Sequence, residues 1–328
     1  MSAALSAARS RAMLRTAMGP AIAAALGDPG VIEIMVNPDG ALRLDILGQG
    51  RVDTGLRLGA AQVERIIRLV ASHGRGEVHA ERPIVSAELP AHGHGAGERF
   101  EGLLPPVSPA PCFAIRKPAA RIYTLADYAS AGIVPTEAAR LLGRAVRDRK
   151  NILVAGGTSS GKTTLANALL AEMAELDERV ILIEDTRELQ SPAPDTVALR
   201  TRFGAVTIAD LVRSTLRLRP DRIIVGEVRG PEALDMLKAW NTGHPGGIAT
   251  VHANSARSAL YRIESLVQEA VVRVPRPLIA DAIDMIVFIS GRGLERRIET
   301  IARVAGLDPD SSDYRLLDLL PSAQSTGD

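Results

Sequence analysis

Two kinds of hydrophobic pattern divide the chain. From about residue 136 onward, short apolar runs at 152–155, 180–183, 223–225, 248–251 and 285–289 are mostly separated by helix-like stretches. Runs this short and uninterrupted predict parallel strands covered on both faces. Their alternation with helices predicts an α/β domain with its ligand at the carboxyl ends of the strands. The tail, 296–304 and 314–319 about a turn at 308–313, predicts a hairpin. Residues 1 to about 120 are mixed. Short β-like runs at 32–36 and 42–46 flank the turn Asn37-Pro38-Asp39-Gly40, and Val63, Ile66, Ile67 and Val70 recur at helical spacing across 60–72. Residues 90–111, rich in Pro, Gly and Ala, predict a solvated loop. Its His92 and His94 lack the third ligand a metal site requires. The resulting division is an α+β domain over 1–120, a linker over 121–135 and an α/β domain over 136–328.

Composition narrows the class without naming a function. The 328 residues, 46% hydrophobic and 23% charged, suit a soluble globular protein of two domains. Thirty-nine basic residues stand against 38 acidic ones, so a net charge of +1 supplies no global attraction for nucleic acid. A single cysteine, Cys112, cannot close an internal disulfide, which suits a reducing cytoplasm. Arg9, Arg11 and Arg15 precede a small-residue stretch at 17–26. That stretch is short and interrupted by Gly19 and Pro20, so it predicts an amphipathic helix rather than a signal peptide. No run reaches the length of a membrane span, and any membrane association is expected to be peripheral.

The chemistry collects after the predicted strands. Gly156-Gly157-Thr158-Ser159-Ser160-Gly161-Lys162-Thr163 is a complete G-x-x-x-x-G-K-T phosphate loop between an apolar run and a helical one that Thr164 continues. The glycines let successive N–H groups face the phosphates, and the helix N-terminus adds its dipole. Lys162 is expected to reach the β- and γ-phosphates and the Thr163 hydroxyl to join the shell of Mg²⁺, so the expected ligand is a Mg-nucleoside triphosphate. The next run ends in Glu184-Asp185, where a carboxylate orients or deprotonates an attacking water. The third delivers Glu227 by a Walker B pattern, Asp221 to Glu227, with Glu where Asp is usual. That longer side chain either holds the metal through a water or polarises the nucleophilic water. His252 follows the fourth run, where it suits a γ-phosphate sensor.

These four segments, in this order, resemble the Walker A, Asp box, Walker B and His box of the type II/type IV secretion ATPase superfamily, and within it the short two-domain traffic ATPases of type IV secretion and conjugation. The resemblance covers essentially the whole chain. It implies a RecA-like P-loop domain preceded by a smaller N-terminal domain, assembled as a hexameric ring. By the same resemblance Glu184 is the catalytic carboxylate, Glu227 the Walker B acid and metal ligand with Thr163, and His252 the phosphate sensor. Arginines of the N-terminal domain complete the site, best matched by Arg99 and Arg116, although Arg213, Arg217 and Arg219 also lie near the Walker B run. The implied activity is ATP hydrolysis powering conjugative transfer or secretion with membrane-embedded partners at the cytoplasmic face of the inner membrane. The tetracysteine zinc site of some relatives has no counterpart, since Cys112 stands alone.

A motor acting directly on single-stranded DNA is the alternative. Near-neutral charge and 3% aromatic residues weigh against it. A kinase lacks an evident acceptor site, and a GTPase lacks the Asn-Lys-x-Asp guanine-reading segment.

Overall fold

The computed structural model describes residues 2–74, 76–90, 97–118, 121–202 and 204–320, with side chains from residue 11 other than that of residue 294. His92 and His94 lie outside the described residues. The chain separates into two compact units, Met1–Ala120 and Arg121–Asp328.

Among the described residues the first unit holds a six-stranded antiparallel sheet and two helices. Helix α1 (Ser2–Gly27) is kinked at Gly19, whose φ of 82° interrupts the helix just before Pro20. Beyond the kink Ile22, Ala25 and Leu26 are buried. Strands β1 (Val31–Val36), β2 (Ala41–Ile46) and β3 (Gly50–Arg57) form a meander. Helix α2 (Ala60–His73) buries Val63, Ile66, Ile67 and Val70, the residues spaced for a helix face. Strands β4 (Ile84–Glu88), β5 (Arg99–Leu103) and β6 (Cys112–Arg116) complete the sheet in the order β3-β2-β1-β6-β5-β4. Strand β5 falls inside the stretch expected as loop. Its only large inward side chain is Phe100, stacked on Phe113 at 5.3 Å, so no run of alternating apolar residues announced it.

The stretch expected as a linker, 121–135, belongs to the core of the second unit. Helix α3 (Leu125–Ser130) starts at Thr124 with a capping box closed by Asp127, and Leu125, Tyr128 and Val134 are buried. The apolar residues of this stretch keep neither a period of 3.6 nor one of 2 and stand among Gly, Ser, Asp and Pro, a pattern that does not announce a packed segment. After α4 (Thr136–Arg147) the chain alternates as the pattern predicts: β7 (Ile152–Gly156), α5 (Lys162–Ala171), β8 (Arg179–Glu184), β9 (Asp195–Arg200), α6 (Ile208–Thr215), β10 (Arg222–Val225), α7 (Glu232–Asn241), β11 (Ile248–His252), α8 (Ala256–Gln268), α9 (Arg276–Ala282) and β12 (Met285–Ser290). The hairpin β13 (Arg297–Leu307) and β14 (Tyr314–Asp318) ends it.

These strands make one eight-stranded sheet in the order β14-β13-β12-β7-β11-β10-β8-β9, parallel from β12 to β9. Every residue of β7 and β10 is buried, as two-sided packing requires. Edge strand β9 was not anticipated. Only Val197 and Leu199 turn inward to pack on the core.

Candidate active site

Parallel register brings the four chemical segments to one edge of the sheet. Gly156, the last residue of β7, lies opposite His252, the last of β11, while Val225 pairs with both Ile183 and Ala249. Glu184, Glu227 and His252 therefore leave neighbouring strands at the same end, beside the loop that follows β7.

The loop is bent by two left-handed residues, Ser159 (φ 63°) and Gly161 (φ 96°). Gly161 needs glycine twice over: for its φ, and because a Cβ there would lie 2.8 Å from the Nε of Arg296. Helix α5 starts at Lys162 with no side-chain cap, which leaves its first N–H groups to a ligand. Lys162 Nζ donates to the carbonyls of Gly156 (3.1 Å) and Gly157 (3.0 Å), folding the ammonium over the loop. Thr158 and Ser159 are exposed, Gly157 is half-buried, and Ser160 is buried with its hydroxyl donating to Gly157 O. Thr163 and Thr164 sit half-buried in the first turn of α5.

Glu184 is only 4% exposed, and burial pushes its carboxyl up to about 7. Its Oε1 accepts the backbone N–H groups of Glu188 (2.9 Å) and Leu189 (2.8 Å), which offset part of that shift. A Cβ on residue 226 would come within 2.9 Å of the Glu184 Cγ, so Gly226 lets the Walker B strand pass close to the acid. Asp185 is exposed and accepts from the Thr201 hydroxyl at 2.9 Å. Glu227, half-buried, is paired with Arg229, whose guanidinium it holds above its ordinary pKa. His252 is exposed at the end of β11.

Glu188 received no role in the sequence reading. Its Oε2 accepts the Thr163 hydroxyl at 3.2 Å, and its carbonyl accepts from Asn167 Nδ2 on α5 at 3.1 Å. The only signal for it was a third acid four residues after Glu184, in a stretch whose path could not be foreseen. Arg229 was likewise passed over, although it lies two residues beyond Glu227.

A hydroxyl and a carboxylate converging beside an anion-binding helix start are hard oxygen ligands of the type Mg²⁺ takes together with phosphates and water. The donor set fits that ion.

Arg99 and Arg116 lie in the first unit. They are direct partners across β5 and β6, within a charged row that runs Glu88, Arg99, Arg116, Glu33 over four strands. The row lies on the face opposite Phe100, Ile115 and Ile34, which are buried. Arg213 is paired with Asp235 at 2.8 Å. Arg219 adopts a left-handed φ of 54° ahead of β10.

The family described as Type II/IV secretion system protein matches residues 61–296. Conjugal transfer protein TrbB of Rhizobium radiobacter is 46% identical over 295 residues, 89% of this chain and 90% of that protein. Type IV secretion system protein VirB11 of Bartonella henselae is 32% identical over 300 residues, 79% of this chain and 82% of that protein. The solved ATPase DotB of Legionella pneumophila aligns over 87% of this chain and 79% of its own with a TM-score of 0.60, at 16% identity, a likeness of fold alone.

Proposed function

The chain belongs to the type II/IV secretion system protein family, within its secretion ATPase branch, and we propose that it hydrolyses Mg-ATP to power conjugative transfer or type IV secretion. The observation that carries this reading is the register of the sheet, which sets Gly156, Glu184, Glu227 and His252 around the start of α5.

In this reading the loop N–H groups and Lys162 bind the phosphates, Lys162 exchanging its two carbonyl partners for the stronger anionic ones. Thr163, Glu188 and Glu227 would hold the magnesium ion, which when bound would supply positive charge against the departing β-phosphate oxygen. Glu184, with its carboxyl near 7, orients the attacking water and takes its proton. His252 reports on the γ-phosphate, and a guanidinium from Arg99 or Arg116 stabilises the charge on the phosphoryl group in transfer. Subunits assemble as a homohexamer and hand their motion to secretion or conjugation components, the ring resting peripherally on the cytoplasmic face of the inner membrane. No helix among the described residues is long and apolar enough to cross a membrane.

The test is the steady-state ATPase rate of purified protein against its own concentration, with Lys162→Ala as the blank and mass measured in parallel. A specific activity that climbs as a six-subunit species forms supports the ring. Activity in a monomer independent of concentration sinks the ring, and salt-sensitive binding of single-stranded DNA would replace the transport motor with a nucleic-acid motor.

A further inference from the structure

The connection between β12 and β13, residues 291–296, lies against the phosphate loop on the flank away from the catalytic acids. Arg292 Nη2 donates to Thr158 O at 3.4 Å. The Arg296 guanidinium lies on the Gly161 backbone, so that a Cβ there would meet its Nε at 2.8 Å and its Cζ at 2.9 Å. The Nε of Arg296 is buried and has no hydrogen-bond partner among the described residues. The backbone of Ile298 donates to Ile133 O at 2.8 Å, tying β13 to the segment after α3. Tyr128 of that helix also buries a hydroxyl without a partner, close enough for the Arg296 charge to act on its phenol.

A buried Arg296 Nε without a partner against the loop, with a second such group, the Tyr128 hydroxyl, within range of its charge, is an uncommon arrangement in a folded protein and marks a place where a polar ligand or water completes the structure. The sheet order says which part of a nucleotide lies there. Strands β11, β10 and β8, bearing His252, Glu227 and Glu184, all lie on one side of β7, and β12 lies on the other. A triphosphate with its γ end toward the acids therefore extends its nucleoside end toward β12 and the connection after it. A guanidinium suits that end, since its flat face stacks on a purine while its edge donates to ribose oxygens.

We propose that the 291–296 connection is the nucleoside shelf of the site, with Arg296 receiving the base and ribose of an adenine nucleotide and Arg292 bracing the shelf on the phosphate loop. This deepens, and rests on, the nucleotide-binding reading above.

Titration calorimetry of the full chain with ATP, ADP and inorganic tripolyphosphate tests it. Arg296→Ala is expected to weaken ATP and ADP equally, by about tenfold, while tripolyphosphate binding stays as in the wild type. Arg292→Ala, an exposed position that keeps the variant folded should Arg296→Ala not be, is expected to weaken both nucleotides about threefold with the same indifference to tripolyphosphate. Equal loss of tripolyphosphate would assign the arginines to the phosphates or to loop shape. Loss of ATP without ADP would assign them to the γ-phosphate. Either result, or no change at all, overturns the shelf. Should the wild type bind ATP no better than Lys162→Ala does, the nucleotide reading itself has failed, which is a separate result.

Discussion

One oxygen of Glu184 accepts the backbone N–H of Glu188 at 2.9 Å, and the side chain of the same Glu188 accepts the Thr163 hydroxyl at 3.2 Å. The acid ending β8 thus shapes the loop that carries a second acid to the start of α5. The two carboxylates of one segment stand in different surroundings: Glu184 is buried with its pKa raised to about 7, while Glu188 accepts the hydroxyl in the first turn of α5.

That division gives Glu184 a pH signature. Its carboxyl is raised from an ordinary 4.5 to about 7 by burial, so the folded chain binds a proton there that the unfolded chain releases first. The group's contribution to stability is therefore complete below about pH 4.5 and lost as pH rises through 7, on the order of 3 kcal/mol in all. Denaturant unfolding of wild type and Glu184→Gln at pH 5 and pH 8 should show the wild type losing more stability between the two than the variant. Equal losses would mean Glu184 titrates normally.

Hydrolysis should fall about 10²-fold or more in Glu184→Gln with nucleotide binding retained, the usual scale for removing a positioned base. Single-turnover rates at saturating Mg-ATP measure this. A rate near wild type would hand the role to Glu227, which Glu227→Gln tests in the same assay.

Glu188→Gln should raise the Mg²⁺ concentration needed for half-maximal activity, with the rate at saturating Mg²⁺ changed less. One charged oxygen ligand lost corresponds to roughly tenfold in apparent affinity. If the Mg²⁺ dependence is unmoved and thermal stability alone drops, Glu188 only braces α5.

Gly161→Ala combines a left-handed φ of 96° with a clash against Arg296, and about 1–3 kcal/mol of strain is expected. Arg296 can swing aside from the new Cβ, but the strain of the positive φ falls on the loop backbone itself, so nucleotide affinity should fall along with the melting temperature. A variant that melts lower yet binds ATP as tightly as the wild type would uncouple the loop's shape from its ligand.

Arg99 and Arg116 face each other across β5 and β6, a like-charge pairing that the next partners in the row, Glu88 and Glu33, offset in part. Replacing Arg116 with Ala should leave stability within about 0.5 kcal/mol or raise it, and lower the turnover rate. Stability lost in step with activity would make the pair structural.

Local pattern alone settled much of this protein. A phosphate loop needs its residues contiguous, so positions 156–163 were readable as a string, and strands buried on both faces wrote themselves as apolar runs at β7, β8, β10, β11 and β12. Their register was not written there. That Gly156 stands beside His252, or that Glu188 returns to Thr163, depends on hydrogen bonds between segments far apart in sequence. Strands β5 and β9 and helix α3 escaped notice because each contributes only one to three side chains to a core, too few to make a period. The flank of the loop was decided by tertiary structure alone: Arg296 lies 135 positions beyond Gly161 in the sequence, and only the parallel pairing of β12 with β7 brings the two into contact.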